Sequence, residues 1–329
     1  MKKQSKLPSI YKTLFNKDNT VYSEMDKVST NGSDSSLSID RKGKDALNTI
    51  ATTFEIDNID LFTKGYEMAV SGSGNEGDGE FPRILTIHSS ALLPLLCFFN
   101  VNEDNPIKID GTTYTKVFFE VQNKVIKDPS NIDIALVSYK NEKPFKILFL
   151  ESKFTEYFKL KHEYSLRKSY EIFYIALNPI LNNYGLNANY NGKKYCLNTD
   201  APGEKIYLEG IKQMFSHLIG IAKGPQGNQY NKKYQDIFAQ AEEFELASII
   251  YKVDCDKFKS YKEIYEKIFG DSTRIKSALK EVLNSEDNLR NIDRLTIRPK
   301  LLTYQEVFKE KENNPDFKMP DKVRKFYDL

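Results

Sequence analysis

Tryptophan is absent from this chain of 329 residues, and cysteine and histidine occur only three times each. Cys97, Cys196 and Cys255 are an odd number without a CxxC pair, which argues against both a disulfide framework and a cysteine zinc site and favours a reducing compartment. Only eight of the 48 basic residues are arginines, so contacts to anions would rest mainly on lysine point charges, with few bidentate forks. Long hydrophobic runs are also missing. The longest, Ala91 to Phe99, is about half a membrane span, and the N-terminal MKKQSKLPSIYKTLF lacks the apolar stretch of a secretory signal. No membrane partner is expected, and cytoplasmic residence is the default. Strong net charge is lacking too: 48 basic against 46 acidic residues leave +2, so any surface for a polyanion must be local.

What is present is a large apolar complement, 40% of the residues with 20 Tyr and 21 Phe, enough for a real core in one large or two modest domains. Residues 1–45 are polar and read as a flexible segment. Apolar spacing over Ala46 to Ile50 and Ile59 to Val70 predicts two helices. SGSGNEGDGE, Ser71 to Glu80, offers four glycines for tight turns near a phosphate or metal, but no Lys-Ser/Thr pair follows, so it is not a P-loop and no nucleotide cofactor is evident. HSSALLPLLCFFN reads as a buried helix capped by Ser89 or Ser90, with Cys97 as a core residue. No G-x-S-x-G elbow surrounds His88, Ser89 and Ser90.

Three β-rich runs follow, Thr113 to Ile126, Asn131 to Tyr139 and Lys146 to Phe154, a meander with a hairpin turn at NEKP. IALV and ILFL have no polar alternation, so helices should cover both faces of a layered α/β core. Thr155 to Leu181 is expected to be one long helix, 182–204 a loop, and 206–224 a helix ending in glycine. A strand over 245–253, helices near 257–269 and 273–285, a strand near 293–300 and a helix from Tyr304 complete the reading. There is no internal repeat.

Charged residues inside the most apolar strands need a reason. Asp133 lies on the face of Ala135 and Val137; Glu151 and Lys153 lie on the face of Ile147 and Phe149, because side chains two apart in a strand point the same way. With a hairpin between the strands, two carboxylates and an ammonium converge. Buried unpaired carboxylates cost several kcal/mol, so the pair demands a cation, a shared proton or salt bridges. Oxygen ligands with no His or Cys nearby favour Mg²⁺ or Mn²⁺ over Zn²⁺, in the manner of enzymes that act on phosphoesters.

Asp133 followed by Glu151-Ser152-Lys153 resembles the motif of the PD-(D/E)XK nuclease superfamily. More narrowly, IHSSALLPLLCFF, FFEVQNKV, PSNIDIAL, FLESKFTEYF and QMFSHLIGI look like successive blocks of a bacterial family of restriction endonucleases, over roughly residues 60 to 225. The resemblance implies a restriction-endonuclease-like core of helix, three-stranded β-meander, helices and further strand, with helices on both faces. It implies Asp133 and Glu151 as metal ligands and Lys153 as the catalytic lysine. The motif's leading proline is displaced, with Pro129 four residues before Asp133. On this reading residues 46–230 are the nuclease core and 231–329 an α/β extension packed on it.

Further candidates are Glu120, on the face of Phe118 and Gln122, and Glu80 and Glu76 near the glycine-rich turn, as extra metal ligands. Gln213 and His217 share a helix face at i, i+4 and are candidates for supporting roles. Residues 140–168 hold eight Lys/Arg against four Glu, and Lys159, Lys161, Arg167 and Lys168 are the candidate DNA contacts. Arg290, Arg294 and Arg298, spaced by four, would touch phosphates or serve as a structural connector. The expected function is a Mg²⁺-dependent DNA endonuclease of restriction or phage-defence type, with Mn²⁺ able to substitute. Since one active site cuts one strand, double-strand cleavage would call for a homodimer or sequential nicking. The competing readings are a non-cleaving nucleic-acid-binding protein on the same fold and a two-carboxylate glycosidase, which Lys153 and the lack of Trp oppose.

Overall fold

The structure is a computed structural model that describes residues 47–72, 90–126, 129–200, 204–227, 232–309, 314 and 316–329. A helix over 47–53 is followed by α1 (Ile59–Gly72) and α2 (Leu92–Phe98), which is buried at every position. Ser90 does not cap α2. The N-cap position is Ala91 with no side-chain bond, and the Ser90 carbonyl accepts a hydrogen bond from Ser152 instead. A small hairpin, β1 (Ile107–Ile109) and β2 (Thr112–Tyr114), leads into β3 (Lys116–Asn123), β4 (Ser130–Lys140) and β5 (Lys143–Lys153). The β4–β5 turn is Asn141-Glu142, both at positive φ, a two-residue turn whose twist suits a hairpin.

After β5 the chain makes an excursion with β6 (Glu163–Ser165), α3 (Glu171–Leu181), β7 (Leu186–Tyr190) and β8 (Tyr195–Thr199), the three strands forming a separate antiparallel sheet in the order β6-β8-β7. The expected long helix over 155–181 is therefore corrected to α3 alone, and the expected loop over 182–204 contains a hairpin. Tyr157 sits in a single 3-10 turn (Glu156–Phe158) and packs on Phe258, and Glu163–Ser165 pairs with β8, so tertiary contacts override the local pattern. Asn191-Gly192, with Gly192 at φ +88, makes the hairpin turn possible.

The chain continues through α4 (Leu208–Lys223), α5 (Lys232–Gln240), β9 (Glu243–Ile250), α6 (Asp256–Gly270), α7 (Ser272–Lys280), α8 (Glu286–Arg294), β10 (Leu295–Ile297), β11 (Leu302–Thr303), α9 (Tyr304–Lys309) and α10 (Asp321–Tyr327). The main sheet runs β10-β9-β5-β4-β3, with β11 also on β9; β3, β4 and β5 are antiparallel neighbours, and β9 joins β5 in parallel. A boundary at 230 would split this sheet: β9, β10 and β11 are integral to it.

The sheet is covered on both faces, as strands without polar alternation require. On one side Phe118, Ala135, Phe149 and Leu246 pack with Met214 and Leu218 of α4 and Tyr265 of α6. On the other, Phe119, Ile134, Leu150 and Ala247 pack with Phe62 of α1, Leu95 of α2 and Tyr304 and Tyr327 near the C-terminus. The three cysteines are free thiols, and no helix of the described residues is long and apolar enough to cross a membrane.

Candidate active site

Register brings the sequence-predicted acids together. Phe119 pairs with Ile134 and Val121 with Ile132, so Glu120 and Asp133 lie opposite each other between those pairs. Ile134 pairs with Leu150, which puts Asp133 level with the start of Glu151-Ser152-Lys153. Three acidic residues thus occupy one level across β3, β4 and β5. The strands depart from regular alternation there: Val121 and Ile132 pack in the same core as Phe118 and Ala135, while Phe119 and Ile134 lie in the other. Glu120 is at φ +48, a left-handed conformation that a non-glycine residue seldom takes inside a strand. Such strain concentrates at functional sites because the surroundings must hold it in place.

Each acid has a distinct environment. Asp133 Oδ2 accepts the Ser152 backbone N–H at 2.6 Å. Burial and the neighbouring Glu151 charge nevertheless raise its pKa well above the carboxylate range, with Glu120 adding to the effect and Lys153 opposing it. Asp133 is a carboxyl that lacks enough positive charge. Glu151, 2% exposed, has both oxygens engaged: Lys153 Nζ donates to Oε1, and His217 Nε2 donates to Oε2 at 2.6 Å. Burial pushes its pKa up, but Lys153 and His217 outweigh that and hold it at about 2. Burial disfavours the Lys153 ammonium, yet Glu151 and the other acidic groups around it raise its pKa well above the ordinary lysine value. Lys153 also donates to the Ser152 carbonyl at 2.9 Å.

α4 supplies the rest. Its His217 is 3% exposed and bridges Glu151 to Ser130, whose Oγ lies 2.5 Å from His217 Nδ1. In a neutral ring the bond to the carboxylate fixes the proton on Nε2, leaving Nδ1 to accept from the Ser130 hydroxyl. Gln213, one turn earlier, presents a buried Oε1 with no donor. Lys212 belongs to the rim of the site. Burial lowers its pKa and Glu209 opposes that, with Arg167, Glu151 and Lys153 also within electrostatic reach.

Ser130 and Lys212 were missed from the sequence: a serine at a strand start reads as turn chemistry, and one lysine among 40 carries no signal. Glu76, Glu80, His88 and Ser89 lie outside the described residues. Lys159, Lys161, Arg167 and Lys168 are all exposed, on the excursion between β5 and α4. The arginine set is structural in large part: Arg298 pairs with the buried Glu245 at 2.6 Å, and Arg294 donates to the Ala241 carbonyl and lies over the Phe244 ring.

Among the described residues no group of three His, Cys, Asp or Glu side chains is arranged to hold a metal. The donor chemistry still suits Mg²⁺, which is commonly held by one or two carboxylates together with water and substrate phosphate. Asp133 needs the positive charge that such an ion brings, and each Glu151 oxygen keeps a second lone pair beyond the bond it already accepts. No family model, curated protein or solved structure matches this chain.

Proposed function

We propose that the protein is a metal-dependent endonuclease of the PD-(D/E)XK class acting on DNA in restriction or phage defence. The observation that carries this reading is the convergence of Glu120, Asp133 and Glu151 at one level of three antiparallel strands, with the Lys153 ammonium bonded to Glu151. The order of helix, three-stranded meander, helices and a further strand, here β9, supports a restriction-endonuclease-like core. Asp133 and Glu151 would hold Mg²⁺, or Mn²⁺ in its place, with Glu120 as the nearest further carboxylate. When bound, the ion supplies positive charge and Lewis acidity beside the scissile phosphate.

The chain's own groups account for the remaining chemistry. Lys153, with its raised pKa, stays protonated at neutral pH. It therefore acts as a donor that holds the attacking water or the charge growing on the phosphate, not as the base. Water attacks in line, its oxygen bonding to phosphorus as the opposite phosphorus–oxygen bond breaks; the proton it loses passes to a non-bridging phosphate oxygen or to solvent, and the departing sugar oxygen takes up a proton from solvent. His217 and Ser130 position Glu151, and Arg167 and Lys212 lie where the neighbouring phosphates of the strand would pass.

A second reading rests on the saturation of Glu151 by Lys153 and His217. A carboxylate so satisfied can be purely structural, which would leave a non-cleaving DNA-binding protein. Incubation with supercoiled plasmid and single-stranded DNA in Mg²⁺, Mn²⁺ or EDTA separates the two. Metal-dependent nicking that disappears in folded Asp133→Ala and Lys153→Ala proteins is expected. Nicking that persists in both would sink the site, and salt-sensitive binding without cleavage would establish the second reading.

A further inference from the structure

The β7–β8 hairpin and the start of α3 enclose a depression of about 540 Å³ that the chemistry above does not use. Tyr190 and Tyr195 pair directly across the hairpin, so their side chains share a face. Tyr195 is buried and forms the floor, whereas Tyr190 is 64% exposed. Lys168, Lys193 and Lys194 line the same depression against a single acid, Glu171. Lys194 is bound to Glu163 at 3.2 Å and to Ser165, but Lys168 and Lys193 make no ion pair among the described residues. The tip is held in shape: the Asn191 side chain accepts the backbone N–H groups of Lys193 and Lys194 at 3.1 and 3.0 Å. A second depression of about 500 Å³ adjoins it, shares Lys168 and Glu171, and is walled by Ile172 and Ile175, both more than half exposed.

This combination selects its occupant. An exposed ring beside Lys168 and Lys193, which make no ion pair among the described residues, suits a planar base and a phosphate together, because aromatic stacking and a cationic groove are how unpaired nucleic acid is held without base-edge readout. An apolar protein segment would leave Lys168 and Lys193 desolvated and unpaired, at a cost. The depression is also joined to the candidate active site. Lys168 lies in the same helical turn as Tyr170, whose hydroxyl bonds Ser216 on α4 at 2.8 Å, and Ser216 adjoins His217.

Resting on the nuclease reading above, we propose that this depression holds one unpaired nucleotide of the substrate strand, its base on Tyr190 and its phosphate at Lys168 and Lys193. The excursion between β5 and α4 is then a strand-holding device that sets how a substrate lies over Asp133 and Glu151.

Binding measured in EDTA tests the device apart from cleavage. Anisotropy of a labelled single-stranded deoxyoligonucleotide would be followed for wild type, Tyr190→Ala, Tyr190→Phe and the double variant Lys168→Ala/Lys193→Ala, all at exposed positions. Loss of the ring should weaken binding about tenfold, and Tyr190→Phe should stay within about twofold of wild type. The double variant should reduce the slope of log affinity against log salt by about 0.7 for each phosphate that the lysines no longer neutralise. Wild-type binding that is unchanged in Tyr190→Ala would overturn the proposal and leave the nuclease reading standing. Displacement of the strand by free deoxynucleoside monophosphate at equal nucleotide concentration would also overturn it. A wild-type protein that binds no DNA of any form would remove the nuclease reading as well.

Discussion

Asp133 and Glu151 are adjacent acids pushed in opposite directions, and the difference makes a sharp test. Glu151 has a folded pKa depressed to about 2, so its contribution to stability is present above the ordinary carboxylate pKa and is lost as pH falls through that depressed value. Asp133 has a raised folded pKa; its contribution is fully present below the unfolded value and is lost as pH rises through the folded one. Above the ordinary carboxylate pKa, the metal-free protein thus loses stability at Asp133 as pH rises. Asp133→Asn keeps an acceptor for the Ser152 N–H and removes that loss. We expect metal-free Asp133→Asn protein to melt higher than wild type by about 2–4 °C for each kcal/mol of relief. The gap should widen as pH rises, while stabilisation by added Mg²⁺ disappears. A melting curve lower than wild type at every pH would refute the assignment. Asp133, Glu151 and Lys153 were legible in the sequence because charge inside apolar strands is itself the anomaly. The left-handed Glu120 and the Ser130–His217 bond were not, since neither backbone strain nor a contact between residues 87 positions apart leaves a local pattern.

At the scale of elements, α4 decides whether the site is assembled, and two glycines decide how closely α4 sits. A Cβ at Gly210 would come within 2.5 Å of the Tyr261 hydroxyl and 2.7 Å of the Tyr207 ring, and one at Gly220 would meet the Cβ atoms of Asn123 and Ser130 at 3.1 Å. In an open helix, Gly→Ala gains about 1 kcal/mol, whereas overpacking costs about 1–3 kcal/mol. Both tyrosines at Gly210 are buried, so the clash prevails there. Gly210→Ala should destabilise the protein and, by displacing His217 from Glu151, lower the proposed nicking activity. Gly220→Ala should be milder, because its neighbours need to give only slightly. Calorimetry on the two variants checks the order, and a stabilised Gly210→Ala would contradict the packing described. The helix itself was legible from its apolar period and terminal glycine. The excursion before it was not: Tyr157 and Tyr164 are spaced i, i+7 as on one helix face, but their partners, Phe258 for Tyr157 and β8 for Tyr164, lie far along the chain.

For the molecule as a whole, the decisive fact is the position of β9. The sequence offered a core ending near residue 230 and an extension beyond it, because the chemistry-bearing residues all precede that point and no motif follows it. Yet β9 pairs with β5 from Lys146↔Glu243 to Lys153↔Ile250, along the strand that carries Glu151 and Lys153. Tyr251, just beyond β9, donates its N–H to the Lys153 carbonyl at 2.8 Å. Lys146 and Arg298 both pair with the buried Glu245, tying β5, β9 and the residue after β10 together. Without residues 231–329, the inner edge of β5 would have no partner, and Leu148, Phe149 and Leu150 would be stripped of their cover from Leu246, Ala247, Tyr304 and Tyr327. An unpaired, apolar central edge is a template for aggregation. A protein truncated after residue 230 is therefore expected to be insoluble or to lack a cooperative melting transition, and limited proteolysis of the full chain should yield no stable fragment ending there. A soluble fragment of residues 46–230 that melts cooperatively and nicks plasmid would show that the site needs only the meander and α4, and that β9 is support added to a core already complete.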